Sequence, residues 1–138
     1  MVIPIFLFIF ANMGTISILL LMILCHVIDD FVLQPICLSK LKQKEWWVKQ
    51  DGYKELYQND YKMALAVHSM SWSIMVLLPI IMLSEVSEMA LLWMFIFNAT
   101  FHYIIDDTKA NKGKINLVTD QCIHFLQILL AWSLCWNI

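Results

Sequence analysis

The chain contains no arginine, and only 14% of its residues are charged. Soluble domains average about 25% charged residues, so this composition excludes an ordinary water-soluble domain. With 3 glycines and 3 prolines among 138 residues, the sequence has no flexible linker and no low-complexity region. Its 4 cysteines form no CxxC pair, which argues against a cysteine zinc site and a disulfide framework. Apolar residues make up 61% of the chain instead.

Four apolar runs are each long enough to cross a bilayer, which takes about 20 residues of helix. They are long and do not alternate, so they predict helices rather than barrel strands. The predicted spans are 15–34, 61–84, 86–107 and 115–136. We therefore expect an all-α membrane protein, in which residues 1–138 form a single transmembrane domain with the four helices in an up-down bundle. The apolar leader 1–14 either extends the first helix or lies along the membrane surface.

The connection between the first two spans predicts an interfacial amphipathic segment at about 38–50. Trp46 and Trp47 suit the headgroup zone of a bilayer, and the lysines between the apolar residues suit anionic lipid. Two interpretations stay open. The segment is either a membrane-anchored linker, or a lid or headgroup platform beside a site. Lipid accounts for its basic charge, so no nucleic-acid partner is expected.

The lysines predict how the chain sits in the membrane. All of them lie in or beside two connections, 35–60 and 108–114, which share one face of an up-down bundle. The opposite turn carries Glu85 and Glu88 without a lysine. The positive-inside rule makes the lysine face cytoplasmic. We expect an inner or plasma membrane protein with both termini outside. The nine lysines are Lys40, Lys42, Lys44, Lys49, Lys54, Lys62, Lys109, Lys112 and Lys114.

Each predicted span carries one histidine, and three of the four histidines have an aspartate four residues away. The pairs are His26/Asp30, His102/Asp106 and Asp120/His124. Residues four apart share a helix face. The reversed order of the last pair then places every histidine at one depth and every paired aspartate at another, near the cytoplasmic end. Ionisable groups at such a depth are costly and mark a functional site.

Imidazole and carboxylate together predict a divalent metal site, with zinc as the first choice and manganese or iron as alternatives. The expected ligands are His26, Asp30, His68, His102, Asp106, Asp120 and His124. The aspartates Asp30, Asp106 and Asp120 are the candidates for catalytic acid–base work. Gln34, Lys109 and Gln121 are the candidates for substrate binding. Asp29 and Asp107, interpreted as solvated interfacial charges, remain alternatives to their neighbours. A purely structural His–Asp network is also open.

The motifs resemble a family of small, uncharacterised integral membrane proteins of bacteria and their phages. The pattern is H-x-x-x-D-F-x-x-Q from His26, a lone histidine at His68, H-x-x-x-D-x-x-K from His102 and D-Q-x-x-H from Asp120. This resemblance covers about 26–124 and implies no settled activity. A looser similarity, in the His/Asp-bearing helices only, is to membrane-bound metal-dependent hydrolases.

Three functions follow as hypotheses. The first is metal-dependent hydrolysis of a membrane-associated or phosphate-bearing substrate, such as an anionic or lipid-linked molecule. The second is ion or proton transport through the His/Asp cluster, which the apolar outer halves of the helices disfavour. The third is a non-enzymatic, phage-type interaction protein that acts on a host membrane complex. A wide apolar exterior would also suit a homo-oligomer.

Overall fold

The computed structural model describes residues 3–34 and 36–135, with side chains from residue 14 onward. Every secondary-structure element in these residues is helical. The α-helices are α1 (Ile3–Val27), α2 (Ile36–Leu41), α3 (Lys44–Val48), α4 (Asp60–Leu83), α5 (Glu88–Ala110) and α6 (Leu117–Leu134). Two π-helical segments cover Ile28–Leu33 and Tyr53–Tyr57. The all-α prediction is confirmed.

Four helices are long and apolar enough to cross a membrane: Gly14–Leu33, Asp60–Leu83, Glu88–Ala110 and Leu117–Leu134. The four predicted spans coincide with these helices to within three residues at each end. The leader continues the first helix, because α1 begins at Ile3 and runs through Gly14 without a break. Residues 1 and 2 of the leader lie outside the described residues.

The four long helices form a ring in which each neighbour runs antiparallel to the next. Between α5 and α6, Gln127 Nε2 donates to Asn98 O at 2.8 Å and Lys109 Nζ to Asp120 Oδ2 at 2.6 Å, so residue numbers fall on one helix as they rise on the other. Contacts between the other neighbouring helices show the same antiparallel order. The first span contacts α4 through His26 with Trp72 and Asp29 with Ser71. Helix α4 contacts α5 through His68 with His102 and Ser73 with Phe95, and α1 contacts α6 through Thr15 with Trp132 and His26 with Gln121.

The interior of the bundle is divided into an apolar half and a polar half. The apolar core consists of Ile18, Met22, Trp72, Val76, Leu77, Ile80, Met94, Ile128 and Ala131. All four histidines and the three buried carboxylates, Asp29, Asp106 and Asp120, lie in the other half. The outside of the helices is rich in exposed large apolar side chains such as Leu126 and Met82. An exterior of this kind matches lipid rather than water.

The predicted interfacial segment consists of two short helices, α2 and α3, joined at Lys42 and Gln43. The exposure of Lys40 and Lys44 agrees with a position at the membrane surface. Lys42 does not, because it is 7% exposed and its side chain turns into the bundle. Interpreting every lysine as an interfacial charge was therefore wrong for this one residue.

Two adjacent isoleucines on α4 test the packing of the apolar half. Ile80 is fully buried, whereas Ile81 is 51% exposed. We expect Ile80→Ala to lower the free energy of unfolding by about 2–5 kcal/mol, because it leaves a cavity. Ile81→Ala removes the same atoms from the outer surface and should cost less than about 1 kcal/mol. Thermal unfolding in one detergent measures both, and equal losses would contradict this packing.

Candidate functional site

Three of the four histidines, His26, His102 and His124, contact Trp72, which is fully buried at the boundary between the two halves. Its ring stacks on His102 at a centroid distance of 4.2 Å, and His102 stacks in turn on His124 at 4.2 Å. The His68 ring lies 5.0 Å from that of His102. Trp72 is four residues after His68, and this spacing in the sequence puts both residues on one face of α4. Trp72 forms the floor of the site, and the sequence interpretation missed it.

His26 differs from the other three because both of its ring nitrogens have strong partners. The Trp72 indole N–H, which can only donate, points at Nδ1 at 2.8 Å. The ring proton of His26 must then sit on Nε2, which donates to Gln121 Oε1 at 3.0 Å. His26 therefore supports its neighbours in this arrangement. Neither of its ring nitrogens is free to bind a metal ion, which was its predicted role.

The three predicted aspartates all reach the imidazoles. Asp30 Oδ1 lies 3.3 Å from His68 Nε2. Asp106 Oδ1 lies 3.5 Å from His124 Nε2 and 3.7 Å from His102 Nε2. Asp120 Oδ1 lies 3.5 Å from the same nitrogen of His124. Asp106 and Asp120 also pair with Lys42 and Lys109, each at 2.6 Å, whereas the partners of Asp30 are His68 and Gln121.

Asp29 is buried rather than solvated, which corrects the sequence interpretation. It is 2% exposed, accepts a hydrogen bond from Ser71 Oγ at 2.8 Å, and lies 3.7 Å from His68 Nδ1. The reason is the π-helical segment Ile28–Leu33, which widens the turn and brings two consecutive aspartates inward. Asp107 lies outside the site, where it pairs with Lys112 at 2.7 Å and accepts a hydrogen bond from Asn111 at 2.9 Å.

Lys42 is the second residue that the sequence did not identify. Its Nζ donates to Asp106 Oδ2 at 2.6 Å and to Gln34 Oε1 at 3.3 Å. Asn111 holds this segment in place, since its side chain bonds Lys42 O at 3.1 Å and Lys44 N at 2.7 Å. The α2–α3 connection thus covers the site, which favours a lid over a plain linker.

Two of the three predicted substrate-binding residues, Gln34 and Lys109, lie at the mouth of the cluster. There they line a cavity of about 330 Å³ together with Lys42 and Asp106. Gln121 instead lies within the cluster. Its Nε2 donates to Asp30 Oδ2 at 3.1 Å and to Asp120 Oδ2 at 3.2 Å, in addition to its contact with His26.

Several buried polar atoms of the cluster have no hydrogen-bond partner among the described residues. They are Asp29 Oδ2, His102 Nδ1, Asp120 Oδ1 and both ring nitrogens of His124. Two groups of side chains could hold a metal ion, with all ligand atoms of each group within 4.8 Å of one another: Asp30, His68 and His102, and His102, Asp106 and His124. Both groups contain His102.

Trp72→Phe tests the bond that organises the floor. Phenylalanine keeps the stacked ring but leaves His26 Nδ1 without its donor, so we expect a loss of about 1–3 kcal/mol in the free energy of unfolding. Trp93→Phe is the matched control, because Trp93 is 64% exposed on α5 and should change stability little. Equal thermal stabilities of the two variants would count against a structural role for the indole bond.

Comparison with known proteins places the chain in a family without giving an activity. No curated protein matches it, and no solved structure matches it. A family model described as "protein of unknown function (DUF3307)" matches residues 18–138, which contain every histidine and aspartate of the cluster. On this match over most of its length, the chain belongs to the DUF3307 family.

Proposed function

We propose that this protein is a membrane-embedded, metal-dependent hydrolase whose buried His/Asp cluster holds one divalent cation. The observation that carries the proposal is the spacing of the ligand atoms. His124 Nε2 lies 3.5 Å from Asp106 Oδ1, and His102 Nε2 lies 3.7 Å from the same oxygen. These contacts are too long for good hydrogen bonds. They are close to the distance between two ligand atoms of one ion, which is about 3.0–3.4 Å when each ligand lies 2.0–2.1 Å from the ion.

The charges of the cluster support a single divalent ion. Four carboxylates face the interior, from Asp29, Asp30, Asp106 and Asp120, and the ammonium groups of Lys42 and Lys109 balance two of them. With neutral imidazoles, 4 negative and 2 positive charges leave a net charge of −2. Uncompensated charge in a low-dielectric interior costs several kcal/mol or more, and one divalent cation cancels it.

The geometry gives each group a role. His102, Asp106 and His124 are the proposed ligands, because they form the fully buried group and because neither ring nitrogen of His124 has a hydrogen bond to the described residues. His102 Nε2 also lies 3.1 Å from His68 Nε2, in the second group of possible ligands. Because one nitrogen cannot ligate two ions, this nitrogen cannot serve both groups at once. His68 and Asp30 therefore border the open side of the ion. Asp29 orients His68 as an outer partner, as carboxylates do for ligating imidazoles.

A bound divalent ion would supply an activated water and polarise a phosphoryl oxygen. Water then adds to phosphorus, and the bond from phosphorus to the leaving oxygen breaks. Asp30 takes the proton that the water loses, and the leaving oxygen gains a proton from solvent. Asp30 suits this work because it borders the open side and Gln121 holds its other oxygen at 3.1 Å.

We place the protein in an inner or plasma membrane, with the lysine-rich connections and the mouth of the cluster on the cytoplasmic side. Four long apolar helices and the one-sided distribution of lysines support this orientation. Hydrolysis is favoured over transport because the described core beyond Trp72 gives no continuous polar path. Ser73, Asn98 and Gln127 are buried there, and beyond them the interior is apolar.

Elemental analysis of protein purified without chelators tests the metal. We expect about one divalent ion per chain, with zinc first and manganese or iron as alternatives, because one such ion cancels the charge. Asp106→Asn should lose it. Asp107→Asn makes the same change at the next residue, which pairs with Lys112 and accepts a hydrogen bond from Asn111 Nδ2 at 2.9 Å. An asparagine oxygen can still accept from Asn111, so this variant should keep the ion. A metal-free wild type, or equal loss in the two variants, would overturn the metal site.

Release of phosphate from p-nitrophenyl phosphate in detergent micelles tests the hydrolysis. We expect a metal-dependent rate that a chelator abolishes. Asp30→Asn should retain the ion and lower the rate by about 100-fold or more, the usual effect of removing a general base. Asp107→Asn should match the wild type. Undiminished turnover in Asp30→Asn would refute its role as base, and a metal-loaded protein that releases no phosphate would refute phosphoester hydrolysis.

A further inference from the structure

We propose that the cavity at the mouth of the cluster is a phosphate-binding site that fills only when the metal ion is in place. This inference rests on the proposed function, because it takes the bound ion as given. It goes further in naming the chemical group that is recognised and the order in which the two ligands bind. Three features carry it: the donors that line the cavity, the unused N–H groups of its two lysines, and the charge behind them.

The cavity measures about 330 Å³ and is lined mainly by hydrogen-bond donors. Lys42 and Lys109 contribute ammonium groups, Gln34 and Gln43 contribute amides, and Ser39 contributes a hydroxyl. Its volume is within the range of small-molecule sites, about 300–1,000 Å³. Two ammonium groups match the two charges of a phosphate monoester, and amides and a hydroxyl can donate to its remaining oxygens. A carboxylate would need only one of the two cations.

Each lysine has more N–H donors than these contacts use. Lys42 Nζ donates to Asp106 Oδ2 at 2.6 Å and to Gln34 Oε1 at 3.3 Å, while Oδ1 of the same carboxylate faces the proposed ion. Lys109 Nζ holds Asp120 Oδ2 at 2.6 Å, and its side chain is 35% exposed. The ammonium groups can therefore keep these bonds and still direct their other protons into the cavity. An ammonium group has three donors, so such sharing is within its capacity.

The charge behind the lysines makes the two ligands cooperative. Without the ion and with neutral imidazoles, the four carboxylates and two ammonium groups sum to −2, which repels an incoming anion. The ion brings this sum to zero and leaves the two ammonium groups at the mouth free to attract phosphate. Linkage then requires that phosphate raise the affinity for the metal by the same factor.

Calorimetric titration of inorganic phosphate into the detergent-solubilised full chain tests this inference. Each sample is also measured for metal by elemental analysis. We expect phosphate to bind the metal-loaded protein and to bind the metal-free protein at least about 10-fold more weakly. Lys42→Met and Lys109→Met should each weaken binding by about 10- to 100-fold, the effect of losing one charged hydrogen bond. Lys40→Met is the control, because Lys40 is exposed on α2 and lies outside the cavity lining.

A second arm replaces inorganic phosphate with micelles that contain phosphatidic acid, compared with phosphatidylcholine. Binding of phosphatidic acid alone, sensitive to Lys42 and Lys109 but not to Lys40, would support the site and identify the phosphate as lipid-borne. Equal affinity of the metal-loaded and metal-free protein for phosphate would overturn the coupling. A fully metal-loaded protein that binds neither probe would overturn the phosphate site while leaving the metal site standing. A wild type without metal would overturn both.

Discussion

Compensation of buried negative charge is the constraint on which this arrangement depends. Four carboxylates lie in the interior of a bundle whose outside suits lipid, and Asp120 is fully buried. Three of them have a lysine or serine partner: Lys109 pairs with Asp120, Lys42 pairs with Asp106, and Ser71 donates to Asp29. Removing one partner of a buried pair costs about 3–5 kcal/mol. The α2–α3 connection must therefore stay folded over the bundle, because moving it away would separate Lys42 from Asp106.

The apolar half holds the polar half in shape. Trp72 belongs to both, since it packs in the apolar core and also bonds His26 and stacks on His102. Its indole fixes the tautomer of His26, which fixes the orientation of the Gln121 amide, and that amide holds Asp30 and Asp120. One chain of directed bonds thus runs from the hydrophobic core to the carboxylates. Such a network positions groups to within the small tolerances that a metal site or a catalytic site needs.

Much of this fold could be predicted from the sequence because its signals are local. A run of about 20 apolar residues specifies a spanning helix whatever surrounds it. A spacing of four places His102 and Asp106 on one helix face, and likewise Asp120 and His124. The prediction failed where the backbone left the regular α-helix. At Ile28–Leu33 the π-helical turn brings Asp29 inward beside Asp30, and no argument based on 3.6 residues per turn could have chosen both.

The sequence by itself determined the four helices and which of the histidines and aspartates share a helix face. Those properties follow from hydropathy and helical period alone. Only the tertiary structure decided the partners. It gave both nitrogens of His26 to Trp72 and Gln121, and it left His102, Asp106 and His124 facing one another. It also carried Lys42 from a surface connection into the site. These choices depend on contacts between segments distant in sequence, because a spacing within one helix carries no information about what the neighbouring helix presents.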